Sequence, residues 1–237
     1  MPNPYFEFKH FTVYHDRCAM KVGTDGVLLG AWVDVTDSKK VLDIGTGSGL
    51  IALMVAQRNT RCIIDAIDVD SDAVVQTEIN VRKSPFNQRI NCKRISVQDL
   101  ARNCNQKYDT IVSNPPFFAQ SLKSPDSRRT MARHTDSLLV DELVRAASLL
   151  LSDNGYFSVI YPYGVKEIIL GEAARAGLYP LRIMNILPTP ISIPKRVMIE
   201  FGKTKTIARE NELIIETERH IYSPEFRELA KDFYLKL

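Results

Sequence analysis

Two short stretches of this 237-residue chain carry residue types at spacings suited to chemistry. The first is Asn114-Pro115-Pro116-Phe117, at the end of the apolar run 109–113. A nitrogen conjugated to a ring or a carbonyl is a poor nucleophile, because its lone pair is delocalised. Two acceptors that hold both N–H groups out of plane free that pair. The Asn114 side-chain oxygen and the Pro115 carbonyl are two such acceptors. Proline at 115 and 116 fixes φ at about −65° and restricts the preceding residue, so both are positioned before a substrate arrives. Phe117 is a ring on which a planar base or amide stacks. Taken alone, the motif also fits a proline turn capping a strand, and Phe118 fits core packing.

The second stretch is Gly45-Thr46-Gly47-Ser48-Gly49, between a strand pattern at 41–44 and a helical one at 50–58. Glycines at these positions let the backbone turn sharply and approach a ligand. A dinucleotide fingerprint would need glycine or alanine at 50, where Leu50 stands, which weakens a pyrophosphate site. With Asp43 before it, G-x-G-x-G resembles instead the S-adenosylmethionine loop of class I methyltransferases. Asp68, 23 residues beyond Gly45, ends the second strand, where a carboxylate accepts from both hydroxyls of a ribose. Asp65 and Asp70 compete for that role; Asp68 is preferred because it follows the apolar Ala66-Ile67. Asp99, just past the third strand, is placed to meet an adenine amino group. A tight turn and solvated acids explain each feature singly. The order of loop, acid and Asn-Pro-Pro-Phe makes the combination specific.

The elements around these residues alternate apolar runs with helical patterns, which predicts a parallel sheet with crossover helices. Strands are expected at 41–44, 62–70, 89–97, 109–114 and 156–162. Helices follow at 50–58, at 71–83 with Ser71 as N-cap, at 137–151 and at 164–176. Asn154-Gly155 is expected to turn into the fifth strand. The runs 181–187 and 196–201 look like a closing pair of strands, separated by the proline-rich segment 188–194. One domain is expected, with an N-terminal extension (1–38), a catalytic core (39–205) and a C-terminal tail (206–237).

With 45% hydrophobic and 25% charged residues, the composition is that of a folded soluble protein. No apolar run approaches the ~20 residues that span a bilayer, and no signal-peptide pattern opens the chain, so a cytoplasmic protein without a membrane partner is expected. Four scattered cysteines (Cys18, Cys62, Cys92, Cys104) form no C-x-x-C pair and read as reduced thiols, with no metal site. Net charge is only +3, but the cations cluster. Arg82, Lys83, Arg89, Lys93 and Arg94 lie between Glu78 and Asp99 with no acid among them. Arg128, Arg129, Arg133 and His134 follow the Asn-Pro-Pro-Phe motif, and Lys195, Arg196, Lys203, Lys205 and Arg209 form a third group. Any one cluster fits a solvated face; the second sits beside the motif, where it would hold nucleic-acid phosphates.

The stretches VLDIGTGSG, AIDVD, VQD and SNPPF resemble the class I, S-adenosylmethionine-dependent amino-methyltransferases over about residues 40–165. CAMKVGTDGVLLGAW (18–32), ARHT (132–135) and PKRVMIEF (194–201) resemble, within these, the bacterial tRNA adenine-N6 methyltransferases that act on A37 of valine tRNA. The resemblance therefore covers nearly the whole chain. It implies a Rossmann-like α/β fold with a seven-stranded, mostly parallel sheet, one reversed strand and helices on both faces. It also implies a monomer that binds S-adenosyl-L-methionine and the anticodon region of tRNA, with no obligatory protein partner. Carried over by position, Asp43, Gly45, Gly47, Gly49, Asp68 and Val69 hold the cofactor, with Asp99 beside its adenine. Lys21, Thr24 and Asp25 cover it, and Val27, Leu28 and Leu29 pack on the core. Asn114, Pro115, Pro116 and Phe117 take the target base, Asn114 also bordering the cofactor, with RNA held by Arg128, Arg129, Arg133, His134, Lys195 and Arg196. Asp68 stands where many members of the family carry glutamate.

Four other readings compete. A protein glutamine-amide methyltransferase shares Asn-Pro-Pro, usually with tyrosine next, but carries a helical N-terminal domain for which the ~40 residues before the loop are too few. A methyltransferase for another RNA or DNA adenine or cytosine, a non-catalytic RNA-binding protein and a nucleotide-dependent oxidoreductase complete the set.

Overall fold

The computed structural model describes residues 3–18, 21–116 and 138–237. A two-stranded antiparallel ribbon, β1 (Tyr5–Glu7) and β2 (Thr12–Tyr14), opens the chain and leads to α1 (Thr24–Trp32). Strands and helices then alternate: β3 (Lys40–Ile44), α2 (Leu50–Arg58), β4 (Ile63–Asp68), α3 (Ser71–Lys83), β5 (Ile90–Arg94), α4 (Val97–Asn103) and β6 (Tyr108–Ser113). Next come α5 (Val140–Leu150), β7 (Leu151–Pro162), a 3₁₀ turn at Tyr163–Val165, α6 (Lys166–Arg175), β8 (Tyr179–Leu187) and β9 (Arg196–Gly202). The chain finishes with β10 (Arg209–Ile214), the short pair β11 (Glu216–Glu218) and β12 (Ile221–Tyr222), and α7 (Pro224–Ala230).

The main sheet has the strand order β10-β8-β9-β7-β6-β3-β4-β5, and every neighbouring pair is parallel except those made by β9. The expected mostly parallel sheet with one reversed strand is therefore present, β9 being the reversed one. It has eight strands rather than seven, because Arg209–Ile214 pairs in parallel with β8.

Strand alternation sorts side chains into two cores, as a pleat of period two requires. Val41, Ile64, Val112, Ile160 and Met198 face one; Leu42, Ile67, Ile111, Val159 and Ile199 face the other. The first core is closed by α1, by α2, whose residues from Leu50 to Ala56 are all buried, and by Phe8, Phe11, Phe226 and Phe233. The second is closed by α4, α5 and α6. The apolar stripe of α5 (Val140, Leu143, Val144, Ala147) follows the i, i+3, i+4, i+7 pattern.

Two local readings are corrected. Asp70, not Ser71, caps α3, because its carboxylate accepts from the Asp72 amide at 2.9 Å. Asn154-Gly155 lies within β7: Tyr108 pairs with Leu151 and Thr110 with Tyr156, so the extra residues bulge opposite Asp109 instead of ending the strand.

Candidate active site

Ile44 of β3 is in register with Ile67 of β4 on one side and Ser113 of β6 on the other. Gly45, Asp68 and Asn114 therefore leave the sheet together at its C-terminal edge, across about 10 Å, two strand spacings. That edge is where open α/β sheets bind ligands. Ser113, fully buried, donates through Oγ to the Ile44 carbonyl at 2.9 Å and locks the ends of β3 and β6 to each other.

The glycine loop crosses from β3 towards β4, its Gly45 and Thr46 amides both donating to the Ile67 carbonyl. Gly45, Gly47 and Gly49 have φ of 68°, 58° and 79°, a left-handed backbone that other residues adopt only with strain. A Cβ at Gly45 or Gly47 would meet nothing within 4 Å, whereas one at Gly49 would lie 2.9 Å from Thr77 Cγ2. The first two glycines thus border open space, and the third packs on α3. Three buried polar residues of α3 hold this arrangement. Thr77 donates to the Gly47 carbonyl at 2.8 Å. Asn80 donates to the carbonyls of Ser48 and Tyr14, both at 2.8 Å, and accepts from the Tyr14 amide. Gln76 accepts from the Arg17 amide.

The acids divide by role. Asp43 is fully buried; burial pushes its carboxyl up to about 7 against the hydrogen bond from Thr46 and the nearby Ala52 amide. Asp68 accepts from the Gly47 amide on one oxygen and the Asp70 amide on the other, both at 3.0 Å. Its rivals are occupied with the fold. Asp65 accepts from Tyr108 and pairs with Lys93, and Asp70 caps α3. Val69, next to Asp68, is 56% exposed and offers an apolar surface at the same edge. Asp99 stands in the first turn of α4, where its carboxylate accepts from Ser96 and pairs with Arg102. Cys18 is pushed up to about 12 by burial and by the nearby Asp68 and Asp70, which keeps it a thiol.

Asn114 Oδ1 is buried without a hydrogen-bond partner among the described residues. An orphaned buried acceptor is costly, and one at a ligand-binding edge points to a donor that arrives with the ligand. Pro115 beside it is buried and Pro116 exposed. Helix α1 passes over this point: a Cβ on Gly26 would lie 2.9 Å from Leu50 and 3.8 Å from Asn114 Nδ2.

The family model for the methyltransferase small domain matches residues 18–162, a span that contains the glycine loop, Asp68 and Asn114. Across the whole of both chains, this protein is 50% identical to a tRNA1(Val) (adenine(37)-N6)-methyltransferase of Parabacteroides distasonis. It is 51% identical, again over the full length of both, to a protein of the same name from Phocaeicola vulgatus. The chain belongs to the tRNA1(Val) (adenine(37)-N6)-methyltransferase family. Among solved structures, a predicted O-methyltransferase from Agrobacterium tumefaciens has the same fold, with a TM-score of 0.69 at 19% identity over 88% of this chain and 96% of that one.

As a member of this family, the chain is an S-adenosylmethionine-dependent methyltransferase, and its site fits that cofactor. Gly45 and Gly47 leave room where a Cβ would intrude, Asp68 presents a carboxylate fixed by two backbone amides, and the unpartnered Asn114 oxygen lies along the same edge. Among the described residues, no cluster of acids, histidines or cysteines could hold a metal, and no helix is long and apolar enough to cross a membrane.

Among the residues expected to cover the cofactor, two are exposed and one is paired. Lys21 and Thr24 are exposed, while Asp25 accepts from Arg196 Nε at 2.8 Å. Arg196, expected on the RNA side, thus reaches into the site's wall; Lys195 beside it is exposed. Two other expected cations are spent on the fold: Arg89 donates to the carbonyls of Ala56 and Asn59, and Lys203 to that of Leu151. Phe117, Phe118, Arg128, Arg129, Arg133 and His134 lie outside the described residues. Sequence reasoning missed Gln76, Thr77 and Asn80. A polar triplet spaced to share one helical face was the available signal.

Proposed function

We propose that this enzyme transfers a methyl group from S-adenosyl-L-methionine to the exocyclic N6 amine of adenosine in tRNA, at position 37 of valine tRNA. The chemistry is carried by one observation, the buried and unpartnered Asn114 Oδ1 beside the glycine loop. The tRNA target is supported by full-length similarity to relatives of that name, and carries with it the expectation of a cytoplasmic enzyme.

The bound cofactor supplies an electrophilic methyl group on a sulfonium. Asn114 Oδ1 accepts one N6–H and the Pro115 carbonyl the other, which turns the nitrogen lone pair out of conjugation and towards the methyl group. The two prolines keep both acceptors fixed, so little reorganisation accompanies the reaction. Phe117 would stack on the adenine. No general base is required beforehand, since the surplus proton leaves the nitrogen after transfer. Asp68 and Asp99 would take the cofactor's ribose and adenine, and residues 21–25 would close over it. Arg128, Arg129, Arg133, His134 and Lys195 would hold phosphates of the anticodon arm.

The test is labelled S-adenosylmethionine with total tRNA from a strain lacking the enzyme, followed by nucleoside digestion. N6-methyladenosine at position 37 of valine tRNA is expected. Label recovered only in protein would sink the RNA assignment and favour the glutamine-amide alternative.

A further inference from the structure

The loop 188–194, which joins β8 to β9, leaves two large apolar side chains in water. Ile191 is 97% exposed and Ile193 71%. Single exposed apolar residues are ordinary; the placement of this pair is not. β8 runs with β7 and β6, so its end at Leu187 lies on the same sheet edge as Asn114. β9 lies two strand spacings, about 10 Å, from β6, and its start rises past the level of Ser113, since Val159 pairs with both Ser113 and Ile199. Arg196, its first residue, reaches Asp25 in the first turn of the helix that passes over Asn114.

The loop is also built to hold its shape. Pro188, Pro190 and Pro194 restrict its backbone. The Ser192 amide donates to the Thr189 carbonyl at 3.0 Å, and the two hydroxyls of Thr189 and Ser192 meet at 2.6 Å. The Lys195 amide donates to the Ile186 carbonyl and closes the turn. Two isoleucines therefore project from a braced turn beside the site, with the exposed Lys195 next to them.

An adenine that reaches Asn114 with its N6 must leave its stack, and the bases either side lose a stacking partner. Branched apolar side chains serve as wedges at such steps, and unpaired loop bases are open to them. We propose that Ile191 and Ile193 pack on the nucleobases that neighbour the target adenosine and hold the stack open once that base has left it. This rests on the tRNA reading given above.

The test uses the full chain with Ile191→Ser and Ile193→Ser together, and unmodified valine tRNA as the probe. KM for tRNA is expected to rise about tenfold, the scale of uncovering part of two isoleucine side chains. The thermal midpoint and S-adenosylmethionine affinity are expected to stay as in the wild type. The salt dependence of tRNA binding should keep its slope, since no phosphate contact is lost, whereas Lys195→Ala should flatten it. Ile191→Leu with Ile193→Leu should restore KM. An unchanged KM in the serine variant would overturn the proposal. So would sedimentation showing a wild-type dimer that the serine variant dissociates, which would make the patch a contact between copies. A wild-type enzyme inactive on this tRNA would overturn the functional reading itself, a result visible before any variant is made.

Discussion

Arg196 Nε donates to Asp25 Oδ2 at 2.8 Å, joining the first residue of β9 to the first turn of α1 across 171 positions of sequence. Both side chains are partly exposed, so the pair contributes only about 0–1 kcal/mol to stability. Its larger effect is expected on where α1 sits. Arg196→Ala should leave the thermal midpoint within a few degrees of wild type while raising the dissociation constant for S-adenosylmethionine several-fold by calorimetry. The charge swap Asp25→Arg with Arg196→Asp should recover part of that loss.

Asn114→Ala removes the unpartnered acceptor without touching the glycine loop. Cofactor affinity should stay within about twofold of wild type, while single-turnover methyl transfer falls by about 10²–10³-fold, the scale of losing one preorganised polar contact in a transition state. Transfer at the wild-type rate would remove Asn114 from the mechanism.

The loop glycines should fail in different ways. Gly47→Ala forces alanine to φ near 58°, at a strain cost of about 1–2 kcal/mol, and places a methyl group in open space. The variant is expected to fold and to lose cofactor binding. Gly49→Ala adds a clash with Thr77 Cγ2 at 2.9 Å and should lower the midpoint further. Adding Thr77→Ser, which deletes that methyl group and keeps the hydroxyl bonded to Gly47, should raise it again.

Asp43 should make stability depend on pH. Its folded value of about 7 lies above the ordinary 3.8, so between those limits the folded state keeps a proton that the unfolded chain has released. Stability from this group therefore falls as pH rises through that window, and the cost of a buried charge is complete above it. Asp43→Asn does not titrate. Its midpoint relative to wild type should be higher at about pH 8 than at about pH 5. A gap that stays constant would mean that Asp43 is ionised throughout.

Much of the frame was legible because its signals are local. The apolar runs of β3, β4 and β6 and the glycine spacing between β3 and α2 place the loop, Asp68 and Asn114 without reference to the rest of the chain. The misreadings come from where local chemistry is overruled by distant partners. Asn154-Gly155 has turn residues, yet pairing with β6 keeps it inside β7 as a bulge. Arg209–Ile214 shows four exposed residues at its start and no apolar alternation, so an edge strand looked like a tail. Cation clusters cannot say which members are paired: Arg196 and Lys93 meet carboxylates from remote elements, Asp25 and Asp65. Gln76, Thr77 and Asn80 look like a solvated helix face until the loop and ribbon that cover them are in place.

Asn80 bonds the second strand of the N-terminal ribbon and the glycine loop with a single amide. Stiffening one end of that amide stiffens the other, so a ligand that settles the loop also slows the opening of the ribbon. Amide exchange at Tyr14 becomes a gauge of occupancy, read in the ribbon and not in the loop itself.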